Sequence, residues 1–197
     1  CVHDLNGQWA FAIWDAKRRR LFLSRDRIGV RPLFYAFTAT EFLFASEIKA
    51  LCTHSGIARE IDLKALDQIF TMWAPLAPRT ILKHVSELPP GHSLCVDDRG
   101  HSLYQYWRPE FHPTSTNVDE KRCADELLEL LSDATRIRLR SDVPVGAYLS
   151  GGLDSSATAA LVNRRAGGRL RTFSVTFDDP EFDESTYQDE VVRFLKT

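Results

Sequence analysis

The chain has 197 residues, 44% of them hydrophobic and 26% charged, which excludes a disordered polymer and allows one large domain or two smaller ones. A formal net charge of −2 excludes a global pull toward nucleic acid, so any phosphate site has to be local. There is no apolar run of about 18 residues to span a membrane. The opening Cys1-Val2-His3-Asp4 lacks the basic stretch and apolar core of a signal peptide, and Cys1, Cys52, Cys95 and Cys123 form no Cys-x-x-Cys pair, so a reduced, cytoplasmic, zinc-free protein is expected.

In chain order, residues 9–14 form an aromatic apolar run and residues 15–19 a polar turn. Lys17, Arg18, Arg19 and Arg20 predict a solvated hairpin tip, with a return strand over 20–25. Segments 33–37 and 42–45 predict two more strands. Ser46 is the expected cap of a short helix over 47–51. Asp62 is the expected cap of a longer helix whose Leu63, Leu66, Ile69 and Phe70 share one face, and which has to end before Pro75. Residues 74–80 are expected to be extended or looped, since residues before proline avoid the helical region. Leu88-Pro89-Pro90-Gly91-His92 predicts a turn, followed by strands over 92–96 and 103–107 with Asp97-Asp98-Arg99-Gly100 turning between them.

Composition shifts at Pro109. Two prolines among Ser, Thr and Asn predict a linker over 109–118. The helix expected over about 119–139 carries an apolar stripe of Cys123, Leu127, Leu130, Leu131, Ala134 and Ile137. Then come an apolar strand over 143–149, a polar Gly-rich loop over 150–155, a helix over 156–165 broken by Gly167-Gly168, a strand over 171–177 and a helix over 184–195. Such alternation predicts a parallel sheet with crossover helices.

The sharpest chemical signal is Ser150-Gly151-Gly152-Leu153-Asp154-Ser155-Ser156, which leaves a strand and enters a helix. Glycines allow backbone N–H groups to face a phosphate closely, and a helix N-terminus adds partial positive charge and unpaired donors. Ser150, Ser155 and Ser156 supply neutral hydroxyls. Asp154 would repel bare phosphate, so its presence predicts a bridging Mg²⁺. No Gly-Lys-Ser/Thr follows, and the spacing is not G-x-G-x-x-G, which excludes the two commonest nucleotide loops. After residue 177 comes an acidic loop with Asp178, Asp179, Asp183 and Glu184; it is expected to be solvated, with a metal or substrate role as the alternative.

The 150–156 segment resembles the pyrophosphate loop of the ATP-pyrophosphatase synthetases, which grips the β- and γ-phosphates of ATP while a substrate carboxylate attacks the α-phosphate. Other blocks extend the resemblance over nearly the whole chain, toward the glutamine-hydrolysing asparagine synthetase family. They are residues 5–15 from Leu5-Asn6-Gly7 to Trp14-Asp15, residues 25–35 from Arg25-Asp26 to Phe34-Tyr35, and residues 44–51. Ala77-Pro78-Arg79-Thr80-Ile81, Leu88-Pro89-Pro90-Gly91-His92 and Ser141-Asp142-Val143-Pro144 continue the match. The resemblance implies an α+β glutaminase-type portion, N-terminal nucleophile hydrolase-like with antiparallel sheets, and its bridge over 1–108. Beyond the 109–118 linker it implies the start of an α/β parallel-sheet ATP-pyrophosphatase domain over 119–197.

By the same resemblance, the substrates are ATP with Mg²⁺, aspartate, and glutamine or ammonia. The chemistry is activation of aspartate as β-aspartyl-AMP, followed by displacement of AMP by ammonia. A homodimer is a further expectation, with no nucleic-acid or membrane partner. Leu149 and Val175 fall where the family lines its adenine pocket; the alternative is that both are simply core. No catalytic residue is assigned. An N-terminal cysteine is the family's nucleophile, but Cys1 precedes His3-Asp4-Leu5-Asn6-Gly7, a block that lies later in the family's domain, so Cys1 is expected not to be that nucleophile. The family's Ser-Gly-x-Gly-x-Asp-Glu segment is not found, and the expectation is an internal piece that does not turn over alone. The six histidines show no i, i+4 pairing and predict no metal site. Two alternatives stay open: a non-catalytic nucleotide-binding or interaction module, and a relative acting on another carboxylate.

Overall fold

A computed structural model describes residues 1–111, 119–167 and 170–197. The chain forms two compact units, Cys1–His112 and Pro113–Thr197. Most of the expected 109–118 linker, and Gly168 of the expected helix break, lie outside the described residues.

The first unit contains two antiparallel sheets, as the glutaminase-type expectation required. One has the order β1 (Ala10–Asp15), β2 (Arg20–Arg25), β6 (His92–Asp97), β7 (Gly100–Gln105). The other has the order β4 (Phe42–Ala45), β3 (Phe34–Phe37), β5 (Ser86–Glu87). The basic tip between β1 and β2 closes because Asp15 Oδ1 accepts the N–H groups of Lys17 and Arg18, both at 3.0 Å. Leu23 on β2 and Leu94 on β6 are register partners and meet Leu33 and Leu88 in one core. Ala36, Leu51, Ile57 and Val85 form a second core under β3.

Four expectations in this unit need correction. Helix α1 spans only Ile48–Leu51, and its cap is Glu47 rather than Ser46, because Glu47 is still extended at φ −137° and ψ 140°. Strand β3 starts at Phe34 rather than residue 33; Leu33 turns its side chain into the core while its carbonyl accepts the Leu88 N–H at 2.8 Å. Strand β7 covers Gly100–Gln105 instead of 103–107, since the turn is tight enough to pair Asp97 with Gly100. Tyr106 and Trp107 leave the ladder and donate to the Gly91 carbonyl. That close approach needs glycine, for Gly91 has φ +67° and a Cβ there would sit 2.3 Å from the Trp107 oxygen.

Helix α2 (Leu63–Met72) begins where the sequence predicts. The Asp62 carboxylate accepts from Lys64 N at 2.8 Å and Ala65 N at 3.3 Å, and it also pairs with Arg79. The fourth correction concerns its apolar face. Ala65 is fully buried and Leu66 and Ile69 are half-buried, whereas Leu63 and Phe70 are exposed. Asp62→Ala is expected to lower stability by about 1–2 kcal/mol, the usual cost of a lost cap. The urea midpoint followed by tryptophan fluorescence checks this, since all four tryptophans, Trp9, Trp14, Trp73 and Trp107, lie in the first unit. An unchanged midpoint would refute the cap's contribution.

In the second unit, α3 (Glu120–Arg138) is capped by Asp119, whose carboxylate accepts the Arg122 N–H at 3.2 Å. None of its residues is buried, and Leu127, Leu130 and Leu131 of the expected stripe are exposed. Ala134 and Ile137, nearer its C-terminal end, are half-buried, so the described residues cover the stripe only in part. Strands β8 (Gly146–Tyr148) and β9 (Arg171–Phe173) pair in parallel, with α4 (Leu153–Arg165) between them and α5 (Ser185–Leu195) after them. Both strands are shorter than the predicted 143–149 and 171–177. Pro144 interrupts the first, and beyond Phe173 side chains take over the bonding. The core of this unit is Leu149, Ala159, Val162 and Leu170, flanked by Val191, Val192 and Leu195 of α5.

Candidate functional site

Residues 149–156 run from the end of β8 into α4. Leu149 still donates its N–H to the Phe173 carbonyl at 2.8 Å, so the loop starts from a fixed strand end. Helix α4 begins at Leu153, three residues earlier than the predicted 156, with Gly152 as its cap at φ −72° and ψ 168°. The reason is local. Ser150 Oγ and Ser155 Oγ lie 2.9 Å apart; Gly152 N–H donates to Ser150 Oγ at 3.3 Å, and Ser155 Oγ donates to the Gly152 carbonyl at 3.1 Å. The two serines thereby replace an ordinary cap and draw the helix start back into the loop.

The loop's chemistry follows from this geometry. Leu153, Asp154 and Ser155 occupy the first three helical positions, where N–H groups have no intrahelical acceptor. Gly151, at φ +86°, turns the chain, and a Cβ there would lie 2.8 Å from Tyr187 Cβ and 3.0 Å from Gln188 N. Gly152 faces open space, its nearest neighbour being Ser150 Oγ at 3.5 Å from a Cβ built there. Ser156 Oγ is shielded from solvent and has no hydrogen-bond partner among the described residues. Amide donors, neutral hydroxyls and a helix N-terminus together suit a polyphosphate. Asp154 is exposed, and among the described residues it makes no ion pair or side-chain hydrogen bond. It suits a cation shared with phosphate oxygens rather than phosphate itself. Among the described residues no group of three or more His, Cys, Asp or Glu side chains could hold a metal by itself.

The structure separates the two residues expected at the adenine pocket. The Leu149 side chain is 1% exposed and belongs to the core, whereas Val175 is 62% exposed and lies two residues beyond the end of β9. Their backbones nevertheless meet at one edge. Ser174 Oγ donates to the Leu149 carbonyl at 2.8 Å, and Gln188 Nε2 donates to the Val175 carbonyl at 3.0 Å. In the acidic loop, Asp183 accepts from Ser185 Oγ and from Phe177 N–H. The Ser185 hydroxyl, with the Phe177 amide, holds its carboxyl below the usual aspartate range. Asp179 accepts the Glu181 N–H at 3.0 Å. These two carboxylates order their own loop.

Two residues were assigned no role from the sequence. Gln188 is 4% exposed and sits on the same face of α5 as Val191, Val192 and Leu195. A glutamine at the i−3 position of an apolar stripe was the available signal. In the first unit, Asp26 is 1% exposed and accepts the N–H groups of Ile28, Val30 and Arg31 at 3.2, 3.0 and 2.9 Å. Arg25 beside it donates to the carbonyls of Arg31, Leu88 and Gly29 and pairs with Glu87 at 2.7 Å. Cys1 is exposed and its carbonyl accepts the Asp4 N–H that closes the 3-10 turn Val2–Asp4.

Comparison with known proteins agrees with both halves. A glutamine amidotransferase domain model matches residues 1–107, and an asparagine synthase model matches residues 126–197. The chain is 38% identical to glutamine-hydrolyzing asparagine synthetase 3 of Bacillus subtilis, over 95% of this chain and 31% of that protein. Against synthetase 1 of the same organism, identity is 34% over 91% of this chain and 28% of that protein. It is also 32% identical to Amidase chry2 of Gibberella zeae, over 98% of this chain and 31% of that protein. The chain thus spans about a third of the length of these relatives. A glutamine PRPP amidotransferase structure from B. subtilis superposes over 95% of this chain and 38% of its own, at 15% identity and a TM-score of 0.33, too loosely to bear on the architecture. With both halves matched in order and curated relatives aligned across the boundary, the chain belongs to the family of glutamine-hydrolysing asparagine synthetases.

Proposed function

We propose that the protein containing this chain makes asparagine from aspartate, ATP and glutamine-derived ammonia. In this reading residues 1–108 belong to the glutaminase and its bridge, and residues 119–197 open the ATP-binding domain. The observation that carries it is the strand–loop–helix at residues 149–156, with its free first-turn amides and paired serines, within a family whose relatives are named for this reaction. Ser150, Gly151, Gly152, Leu153, Asp154, Ser155 and Ser156 hold the pyrophosphate portion of ATP through backbone N–H groups and hydroxyls. Leu149 and Val175 bound the adenine side, Leu149 by its backbone and Val175 by its exposed side chain. Mg²⁺, reached by Asp154 through the pyrophosphate, supplies charge neutralisation there.

The logic is activation. A carboxylate is a poor electrophile, so aspartate attacks the α-phosphate to give β-aspartyl-AMP, with pyrophosphate leaving; ammonia then displaces AMP. The loop retains the leaving pyrophosphate, and its neutral donors stabilise charge that grows as the bond breaks. Cytoplasmic location and a homodimeric state accompany the proposal. No helix among the described residues is long and apolar enough to cross a membrane.

The test uses the full-length gene product. Pyrophosphate release is measured with ATP, Mg²⁺, glutamine and aspartate, beside Asp154→Ala. Release that requires aspartate, and falls at least about hundredfold in the variant, supports the reading, since losing a charge-assisted contact in the transition state costs about 2.7 kcal/mol or more. Nucleotide binding with no release for any carboxylate would instead support a non-catalytic nucleotide-binding module. The match to Amidase chry2 favours one second reading, the same activation applied to another carboxylate; release with a different acid and none with aspartate would establish it.

A further inference from the structure

We propose that Gln188 is a positioning residue for the nucleotide loop, tying the first turn of α5 to both strand ends that flank it. The inference rests on the ATP-site reading above and adds a residue to it. Gln188 is 4% exposed, and its Nε2 donates to the Val175 carbonyl at 3.0 Å and to the Ser150 carbonyl at 3.5 Å. Ser150 is the first residue of the loop and Val175 lies on the segment leaving β9, so one amide spans the two walls of the site.

A purely apolar contact at this position would not do the same. The buried group is the Gln188 amide, which needs acceptors, and β8 and β9 are only three residues each, so the ladder ends before it reaches Ser150 or Val175 and leaves their carbonyls to accept it. The N–H of Gln188 belongs to the first turn of α5, bonded to the Glu184 carbonyl at 3.1 Å. The same turn abuts Gly151, where a Cβ would meet Tyr187 Cβ at 2.8 Å and Gln188 N at 3.0 Å. Backbone contact at Gly151 and side-chain bonds at Ser150 and Val175 thus fix the loop from one side. When the loop closes on phosphates, α5 is expected to tighten with it. Without the amide the Ser150 carbonyl is free to rotate, and the N–H of Gly151, which shares its peptide plane, rotates with it.

The experiment uses full-length protein and two readouts. First, hydrogen exchange is measured on the unmodified protein with and without Mg-ATP. Protection gained together at residues 150–156 and 185–189 is expected; protection at 150–156 alone would overturn the proposal. Second, Gln188→Met, which keeps the volume and loses the donor, is titrated with Mg-ATP by calorimetry. About tenfold weaker binding is expected, the size of one or two lost hydrogen bonds, with the KM for glutamine unchanged. Ser155→Ala, measured in parallel, separates the two levels of the argument. If Ser155→Ala leaves nucleotide affinity unchanged, the loop is not the ATP site and the functional reading fails. If Ser155→Ala weakens binding and Gln188→Met does not, only the positioning role fails.

Discussion

Replacing Asp26 by alanine is expected to lower the stability of the first unit by about 3 kcal/mol, because one buried carboxylate satisfies three backbone N–H groups that would otherwise go unmet. These three donors line the turn between β2 and β3. The turn's other side is held by Arg25, whose guanidinium bonds to three carbonyls and to Glu87. The Asp26 backbone joins the same frame, its N–H donating to the Trp9 carbonyl at 2.9 Å and its carbonyl accepting from Gly91 at 2.9 Å. Asp26→Asn should cost less, since an amide oxygen still accepts on one side. The measurement is urea unfolding by tryptophan fluorescence; a loss below about 1 kcal/mol for the alanine variant would show that water replaces the carboxylate without penalty.

The same residue predicts a pH dependence. Burial by itself pushes the Asp26 carboxyl upward, but the backbone N–H groups of Arg31, Val30 and Gly29 outweigh it and hold the carboxyl below its usual value. A carboxyl whose folded value is depressed contributes stability that is present above its unfolded value. That contribution is lost as pH falls from about 4 through the lower folded value. The wild-type unfolding midpoint is therefore expected to drop below about pH 4 more steeply than that of Asp26→Asn, which has no proton to bind there. Parallel acid profiles for the two proteins would remove Asp26 as the cause.

The second large effect belongs to the loop at residues 150–156, proposed above to hold ATP. Gly151→Val is expected to weaken Mg-ATP binding by at least about hundredfold, or about 2.7 kcal/mol. Gly151 has φ +86°, where a β-branched residue is strained, and its Cβ would overlap Tyr187 at 2.8 Å, so the first turn of α5 has to move away. Gly152→Ala is the informative companion. Gly152 has φ −72°, and a methyl there meets only Ser150 Oγ at 3.5 Å, so the fold tolerates it while the methyl enters the phosphate cradle. Calorimetry on both variants, with tryptophan fluorescence as the control for the first unit, checks the prediction. Unchanged affinity in both would place the nucleotide elsewhere.

The elements legible in sequence were those whose signals are local. The hairpin tip at Lys17–Arg19 rests on Asp15, and the starts of α2 and α3 rest on the caps Asp62 and Asp119. The loop at residues 150–156 was legible for the same reason, since its glycines and serines act on neighbours no more than five residues away. The start of α4 was misplaced because the mutual bonding of Ser150 and Ser155 has no counterpart in a capping rule that considers one residue at a time.

What the sequence by itself determined was the order of elements, the amidotransferase-then-synthase arrangement and the strand–loop–helix at residues 149–156, all carried by contiguous residues. Only the tertiary structure decided that Asp26 and Arg25 pin a buried turn, and that Leu149 turns its side chain into the core while Val175 remains exposed. It alone brought Gln188, 38 positions away in the chain, against the Ser150 carbonyl. The physical reason is that a buried polar group is satisfied by whatever donor the fold delivers, and in the chain those partners stand far apart.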